Sequence, residues 1–136
     1  MEAGAGNDYW STSGTCNCSV GSSTWSDLSG ATAYISADKA GPIVAWGLAE
    51  LTTSFCNHDV RLRIVSSDGS WEEESVSMPA VTGYYSSGAL ASTFGQFEIP
   101  AVGDYILSLQ YTGQGSGGSC YIGNYAVSAF QLAVAP

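Results

Sequence analysis

The four cysteines and the single histidine have the most versatile chemistry in this sequence of 136 residues. The cysteines are Cys16, Cys18, Cys56 and Cys120, and the histidine is His58. In an up-and-down strand order, the loops that carry Cys56 and Cys120 fall at the same end of the fold. We therefore predict a disulfide between these two residues. Cys16 and Cys18 then either bridge to other chains or remain free.

A zinc site and a set of four reduced thiols are the alternatives to that disulfide. Cysteine and histidine are zinc ligands, but structural zinc sites favour Cys-x-x-Cys spacing, and Cys16 and Cys18 are one residue closer together. Reduced cysteines pack as small hydrophobic residues, which suits a protein made in the cytosol. We expect no bound metal and no other cofactor, and we expect His58 to be solvated in a polar loop.

Catalytic motifs in the sequence are weak or false. Residues 113–118 fit G-x-G-x-x-G, but they join two predicted strands and so lack the helix N-terminus that holds a phosphate. No G-x-S-x-G motif occurs. Glu72, Glu73 and Glu74 alternate between the two faces of a predicted strand, which is poor geometry for a paired acid and base. We predict no enzymatic activity and no catalytic residues.

Acidic residues dominate the charge, with 12 acidic and 3 basic residues and a formal net charge of -9. Lys39, Arg61 and Arg63 cannot neutralise many phosphates, so we expect no nucleic-acid partner. We also expect no membrane partner, because the charge is repelled by anionic lipid and no apolar run approaches the roughly 20 residues of a spanning helix. The N-terminal residues lack the basic and apolar regions of a secretory signal.

The elements that must position these residues are β-strands. Residues 100–112 open with a turn and then alternate strictly between two faces, which is typical of a half-buried strand. The apolar face carries Tyr105, Leu107, Leu109 and Tyr111. A glycine-rich loop connects this strand to a long apolar strand at the end of the sequence. We predict that these two strands pair at the centre of an antiparallel sandwich.

We predict seven strands and no helix, because no window shows a helical period. The predicted strands cover residues 31–38, 43–51, 60–66, 71–78, 91–99, 103–112 and 120–135. Short strands with turn signals at this spacing are typical of an all-β fold, an antiparallel β-sandwich or jelly roll. We expect one domain at residues 25–136, preceded by an extended N-terminal arm at residues 1–24.

The turn Asp68-Gly69 is the clearest hairpin signal, because this dipeptide favours the positive φ angles of a type I′ turn. The resulting register places Arg63 opposite Glu74, where an ion pair contributes a few tenths of a kcal/mol at most. The same register places Glu73 beside Ile64. We therefore expect a bulge or frayed segment at the start of the second strand.

The predicted strand at residues 43–51 is apolar on both faces, which indicates burial on both. One face carries Val44, Trp46 and Leu48, and the other carries mainly small residues, Ala45, Gly47 and Ala49. We expect one face to form the sandwich core. The small-residue face would then lie against a partner subunit or a covering loop.

Aromatic residues in the arm and in one loop are candidates for binding. A flexible tail would not normally carry aromatic residues and cysteines, so we expect the arm to order against its own domain, a neighbouring copy or a host surface. Its anchoring residues would be Tyr9, Trp10, Cys16 and Cys18, and a disordered leader is the alternative. Tyr84 and Tyr85, in a long loop at residues 79–90, are the best candidates for a glycan platform.

Four motifs along residues 25–135 resemble those of a group of bacteriophage virion domains. They are Trp25-Ser-Asp-Leu28-Ser-Gly30, Gly41-Pro-Ile-Val-Ala-Trp46, Val60-Arg-Leu-Arg-Ile64 with Asp68-Gly69, and Ile99-Pro-Ala-Val-Gly-Asp-Tyr105. In those domains a W-x-D-L-x-G motif precedes the first strand and a P-A-G-x-Y turn precedes the penultimate strand. They are similar to tumour-necrosis-factor-like and complement-type globular jelly rolls, which usually form trimers. The cysteines and the arm are not part of that pattern.

This resemblance implies a structural virion protein, made in the host cytoplasm and placed on the capsid exterior. We expect a decoration (cement) protein that forms homotrimers and binds the major capsid protein. The residues expected at the trimer interface are Ala45, Gly47, Ala49, Tyr105 and Tyr111. The alternative is a glycan- or receptor-binding module of a phage fibre or tail. A bacterial surface domain with two disulfides is a third interpretation.

Overall fold

The computed structural model describes residues 9–20, 24–52, 57–81, 89–113 and 120–132, which form nine β-strands in two packed antiparallel sheets. The strands are β1 (Tyr9–Val20), β2 (Ser26–Ala37), β3 (Gly41–Leu51), β4 (Asn57–Ser66), β5 (Glu72–Glu74), β6 (Met78–Val81), β7 (Ala89–Ile99), β8 (Gly103–Gly113) and β9 (Cys120–Gln131). The predicted all-β sandwich is confirmed.

The strand order is that of a jelly roll. The four-stranded sheet has the order β1-β9-β3-β7, and the five-stranded sheet has the order β2-β8-β4-β5, with β6 also paired to β4. The predicted up-and-down order is therefore wrong, because β2, β3 and β4 alternate between the two sheets. The predicted central pair of β8 and β9 is also wrong. Each of these strands is an inner strand of its own sheet, since an alternating pattern indicates a buried face and does not identify the neighbouring strand.

The core lies between the sheets and combines large residues from one sheet with small residues from the other. On β3, every second residue from Ile43 to Leu51 is buried, which includes Ala45, Gly47 and Ala49. A Cβ added at Gly47 would lie 2.9 Å from Leu109 Cδ1 and 3.2 Å from Leu62 Cδ2, so the five-stranded sheet fills this space. Small residues on β3 thus provide room for leucines opposite.

This packing corrects the predicted trimer interface. Ala45 and Ala49 are 0% and 1% exposed, and Gly47 is buried with them, so this face of β3 packs inside its own chain and cannot contact another. Tyr105 is also buried, and its hydroxyl donates a hydrogen bond to the carbonyl of Ala101 at 2.7 Å. A further expected contact, Tyr111, is half-buried against the core. The opposite face of β3 points outward.

Residues 9–20 form a strand of the sandwich. β1 pairs antiparallel with β9, and its inward-facing side chains Trp10, Cys16 and Cys18 pack against the core. The predicted boundary at residue 25 therefore falls between two strands of one sandwich. The alternation in β1 is inconspicuous in the sequence because one inward position is Gly14. A Cβ there would lie 2.7 Å from the hydroxyl oxygen of Tyr125, so glycine provides space for that ring.

The β4–β5 hairpin has the predicted register, with Arg63 opposite Glu74 and Ile64 opposite Glu73. The ion pair of Arg63 is instead with Glu72, at 3.0 Å between Nε and Oε2. This hydrogen bond raises the pKa of Arg63 and lowers the pKa of Glu72. Glu73 lies opposite the buried Ile64, but its side chain is not buried, because β5 is only three residues long and all of its side chains are exposed.

The turn of this hairpin differs from the predicted type I′ turn by one residue. The N–H of Gly69 donates to the carbonyl of Ser66 at 2.9 Å, so Ser67 and Asp68 are the central residues and Gly69 follows with a φ of 78°. The Asp68 carboxylate accepts hydrogen bonds from the Ser70 backbone N–H (2.9 Å), the Ser70 hydroxyl (2.7 Å) and the Ser66 hydroxyl (2.8 Å). These bonds lower the pKa of Asp68 to about 2.

Ser75 lies between β5 and β6, where the predicted strand at residues 71–78 is interrupted, and it pairs with the backbone of β4. Its backbone N–H donates to the carbonyl of Leu62, and its hydroxyl accepts from the N–H of Leu62, both at 2.8 Å. The hydroxyl also lies 3.4 Å from that of Thr93 on β7. Ser75 therefore satisfies a backbone group that the broken strand would leave unpaired, and it connects the two sheets.

Candidate functional site

The candidate site is the outward side of the four-stranded sheet, which we call the outer face. The strand registers place its side chains in three rows across the strands. The rows are Gln96-Val44-Phe130-Tyr9, Phe94-Trp46-Ser128-Ser11 and Ser92-Leu48-Ala126-Ser13. Each of these rows therefore brings at least one apolar side chain to the surface.

Large apolar side chains are exposed on the outer face. Leu90 is 69% exposed, Phe94 60%, Tyr9 57% and Leu48 37%. Trp46 packs edge-to-face against Phe130 with ring centroids 5.8 Å apart, so these two rings form a preorganised centre. Grouped exposed apolar side chains mark interaction surfaces, whereas scattered ones are normal on any protein.

Charge is confined to the ends of the outer face. Among its side chains on the described strands, the ionisable carboxylates are Glu50 at one end and Glu98 at the other, and no basic side chain is present. Glu50 Oε1 accepts a hydrogen bond from the backbone N–H of Asn124 at 3.3 Å. The centre of the face is therefore suited to contact with another apolar surface.

The outward side of the five-stranded sheet has a contrasting chemistry. Arg61 Nε donates to Gln110 Oε1 at 2.9 Å, and Gln110 Nε2 donates to Asp27 Oδ1 at 2.8 Å. The guanidinium of Arg61 also stacks on Trp25, 4.2 Å from the ring centroid, and lies 3.9 Å from Glu74 Oε1. These polar groups already pair with one another, so this side is less suited to a partner than the apolar area of the outer face.

The structure tests some of the predictions about the cysteines. Cys16 and Cys18 form a disulfide with each other, with Cα atoms 5.0 Å apart, so they neither bridge to other chains nor remain free. The Cys56–Cys120 disulfide stays a prediction, because Cys56 lies outside the described residues. The backbone of Cys120 opens β9 opposite Val20. The predicted zinc alternative loses two ligands, because disulfide sulfurs do not act as zinc-binding thiolates.

The remaining predicted positions divide between strands and undescribed residues. His58 belongs to β4, where its backbone lies opposite Gly113 and Ala80, and not to a polar loop. The predicted glycan platform, Tyr84 and Tyr85, lies outside the described residues. Within the described ranges, no group of three or more histidine, cysteine or acidic residues could hold a metal ion. The absence of catalytic activity stays a prediction.

Sequence reasoning misses most of the outer face. The sequence assigns Phe94 only to a strand and Leu90 only to a loop, and neither is a candidate for binding on that basis. The available signal is that β3 is apolar at both odd and even positions, and that the neighbouring β7 carries Leu90 and Phe94 at even positions among polar residues. In two adjacent strands of one sheet, such a pattern indicates a second apolar surface besides the core.

Comparisons with known proteins support the fold. No protein-family model matches this sequence, and no curated protein matches it significantly. Among solved structures, Eiger, a TNF of S. frugiperda, is similar with a TM-score of 0.59 and 11% identity, covering 94% of each chain. The globular domain of the zebrafish complement 1qA protein is similar with a TM-score of 0.55 and 15% identity, covering 94% of this chain and 98% of the other.

A viral protein has the same architecture. The VP2 subviral particle of infectious bursal disease virus is similar with a TM-score of 0.53 and 14% identity over 93% of this chain. The match spans only 34% of the VP2 chain, about one third of its length. At these identities the similarity shows the jelly-roll fold, and the predicted likeness to tumour-necrosis-factor-like and complement-type domains is confirmed at that level.

Helices long and apolar enough to cross a membrane are absent from the part of the chain that the structure describes.

Proposed function

We propose that this protein is a structural component of a virus particle that works as a homotrimer held together by the outer face. The finer proposal is a decoration protein on the exterior of a bacteriophage head, bound to the major capsid protein. The observation that carries the proposal is the exposed apolar surface around Phe94 and Trp46, on a fold shared with a viral subviral particle.

Charge favours the outer face as the surface on which copies meet. Each copy carries a formal net charge of -9, so contact between copies is opposed by repulsion wherever carboxylates come together. On the described strands, the centre of the outer face carries no acidic or basic side chain, and Glu50 and Glu98 lie at its ends. Copies that pack through the centre bury aromatic and aliphatic side chains while these carboxylates remain at the solvated rim.

The number of copies comes from the resemblance to tumour-necrosis-factor-like and complement-type domains, which usually form trimers. In this assembly the outer face takes the place of the small-residue face that the sequence predicted. The residues at the interface become Phe94, Trp46, Leu48 and Phe130, with Leu90 and Tyr9 at its margins.

On a capsid, such a trimer would stabilise the shell by burying surface across neighbouring capsid subunits. Interfaces of at least about 1,000 Å² are typical of specific assemblies, and many identical copies multiply the effect. The acidic surface left exposed would keep particles from associating with one another. Of the four residues predicted to anchor an arm, Tyr9 has a mainly exposed side chain, whereas Trp10, Cys16 and Cys18 pack against the core.

The test is the protein composition of purified particles of the virus that encodes this chain. Quantitative mass spectrometry should find the chain in a fixed ratio to the major capsid protein, in multiples of three per binding position. Proteases added to intact particles should reach it. Particles that lack the chain, or that enclose it beyond the reach of proteases, would contradict the proposal. A virus carrying Phe94→Ser should show reduced occupancy, whereas Tyr34→Ser, on the other sheet, should not.

A further inference from the structure

The edge of the four-stranded sheet at β1 is a second surface with the geometry of an interaction site. β1 is the end strand of the sheet, and within the described part of the chain it pairs with β9 on one side and with no strand on the other. An end strand presents a row of backbone N–H and C=O groups that can pair with another strand. The outward side chains of β1 belong to the outer face, whereas the backbone groups of this edge lie in the plane of the sheet and point away from β9.

β1 differs from the other end strands of the two sheets in carrying no charge. Its sequence from Tyr9 to Val20 contains no charged residue and no proline. By contrast, each of the other end strands carries at least one acidic residue, since β5 consists of three glutamates, β2 carries Asp27 and β7 carries Glu98. Natural sheets guard exposed edges with charges, bulges and prolines, so a regularly paired edge stretch without charge or proline is expected to have a partner.

A bulge limits the part of β1 that can accept a strand. Pairing with β9 is regular from Tyr9 opposite Phe130 to Thr15 opposite Asn124, and the register then shifts between Thr15 and Cys18. The Cys16–Cys18 disulfide spans this shift. A partner strand needs regular spacing of backbone groups, so the usable edge is the seven-residue stretch 9–15.

We propose that this stretch pairs antiparallel with the same stretch of a second copy, about a two-fold axis at Thr12. This register places Tyr9 opposite Thr15 and Ser11 opposite Ser13 on the outward side, and it pairs all seven residues. It also keeps inward-facing residues opposite inward-facing ones, as a continuous sheet requires. Two four-stranded sheets then form one sheet of eight strands, and an assembly built through the outer face acquires a second contact to neighbouring copies.

A second copy fits this edge for two reasons. Each copy has a net charge of -9, and the paired stretches place no carboxylates opposite each other. Hydroxyl side chains directly opposite across an antiparallel pair form favourable cross-strand contacts, and both Ser11 and Ser13 are exposed. The stretch is thus complementary to itself.

The test uses the full chain with Phe94→Ser and Leu48→Ser, which weaken association through the outer face. In this background we compare Ser11→Lys/Ser13→Lys with the control pair Ser92→Lys/Gln96→Lys, which adds the same charge at exposed outer-face positions on β7, away from the β1 edge. Sedimentation equilibrium measures dimer formation. Hydrogen exchange at low and high protein concentration measures protection of the backbone amides of residues 9–15.

The background protein and its control should form dimers, and the amides of residues 9–15 should become more protected as concentration rises. The lysine pair at positions 11 and 13 should weaken dimerisation by about tenfold or more, because like charges then lie directly opposite. A background protein that stays monomeric, with exchange at residues 9–15 independent of concentration, would overturn the proposal. So would dimers that the Ser11→Lys/Ser13→Lys pair leaves intact.

Failure of this inference is distinguishable from failure of the proposed function. If Phe94→Ser and Leu48→Ser do not change association of the chain while the Ser11→Lys/Ser13→Lys pair does, the outer-face interface is wrong and the edge pairing stands. The reverse result removes the edge pairing and leaves the outer-face interface.

Discussion

Replacing Phe94 by serine should dissociate the assembly, because its ring is the most exposed aromatic side chain near the centre of the outer face. Phe94 is 60% exposed in the single chain. An aromatic side chain has roughly 200 Å² of surface, so about 120 Å² remains for a partner to cover, worth about 3 kcal/mol at ~25 cal/mol per Å². Removing one such ring from an interface should therefore weaken association about a hundredfold.

The matched control for Phe94→Ser is Tyr34→Ser. Tyr34 lies on the outward side of the five-stranded sheet and is 74% exposed, so this change removes a similar exposed ring from the other side of the sandwich. Sedimentation velocity across a concentration series should show a lower association state for Phe94→Ser and an unchanged one for Tyr34→Ser. Circular dichroism should show that both variants remain folded. Equal behaviour of the two variants would refute the assignment of the outer face as the interface.

Three further predictions concern the stability of the single chain, each measured by chemical denaturation. Gly47→Ala should lower the free energy of unfolding, because overpacking against Leu109 costs about 1–3 kcal/mol. This cost exceeds the ~0.4–1 kcal/mol of stabilisation that alanine provides by restricting the unfolded chain. An unchanged or higher free energy of unfolding would place this face of β3 outside the core. Ser75→Ala should cost about 1–3 kcal/mol, because it leaves a buried backbone N–H unpaired, and a change below about 0.5 kcal/mol would contradict that role. Asp68 has a folded pKa of about 2, below its ordinary value of 3.8, so its contribution is present above about pH 4 and disappears as the pH falls through 2. The stability difference between the parent and Asp68→Asn should therefore shrink from pH 4 to pH 2, and a constant difference would refute the role of the Ser70 hydrogen bonds.

Strands can be predicted from this sequence where alternation is strong and turns are marked by glycine. The strand from Gly103 to Gly113 and the register of Arg63 opposite Glu74 both follow from such local signals. The pairing of strands cannot be predicted in the same way, because β8 and β9 are neighbours in the chain and members of different sheets. Sheet membership depends on long-range packing, which alternation does not record.

The error at β3 has a specific physical origin. Both faces of this strand are apolar, and the sequence alone favours the larger residues Trp46 and Leu48 for the core. The structure buries the small face because Leu62 and Leu109 from the opposite sheet already fill the space above Gly47. Which face of an apolar strand is internal is decided by the volume of the facing sheet, and that volume cannot be known before the strands are paired.

β1 shows a different limit of sequence reasoning. Serine, threonine and glycine make up much of β1, so its sequence lacks the apolar alternation by which a strand is recognised. One inward position is Gly14, which leaves space for the ring of Tyr125, a residue far away in the sequence. The sequence also does not predict the Cys16–Cys18 disulfide, in which two cysteines of one strand are brought together at the register shift.

The native mass of the full chain, measured with and without reductant, tests the central claim most directly. The account predicts a species of three times the 14.1 kDa chain, or a multiple of it, that survives reduction, because the proposed interface is held by apolar packing and the Cys16–Cys18 disulfide lies within one chain. A chain that remains at 14.1 kDa at every concentration, under both conditions, would contradict the proposed assembly and the structural role based on it.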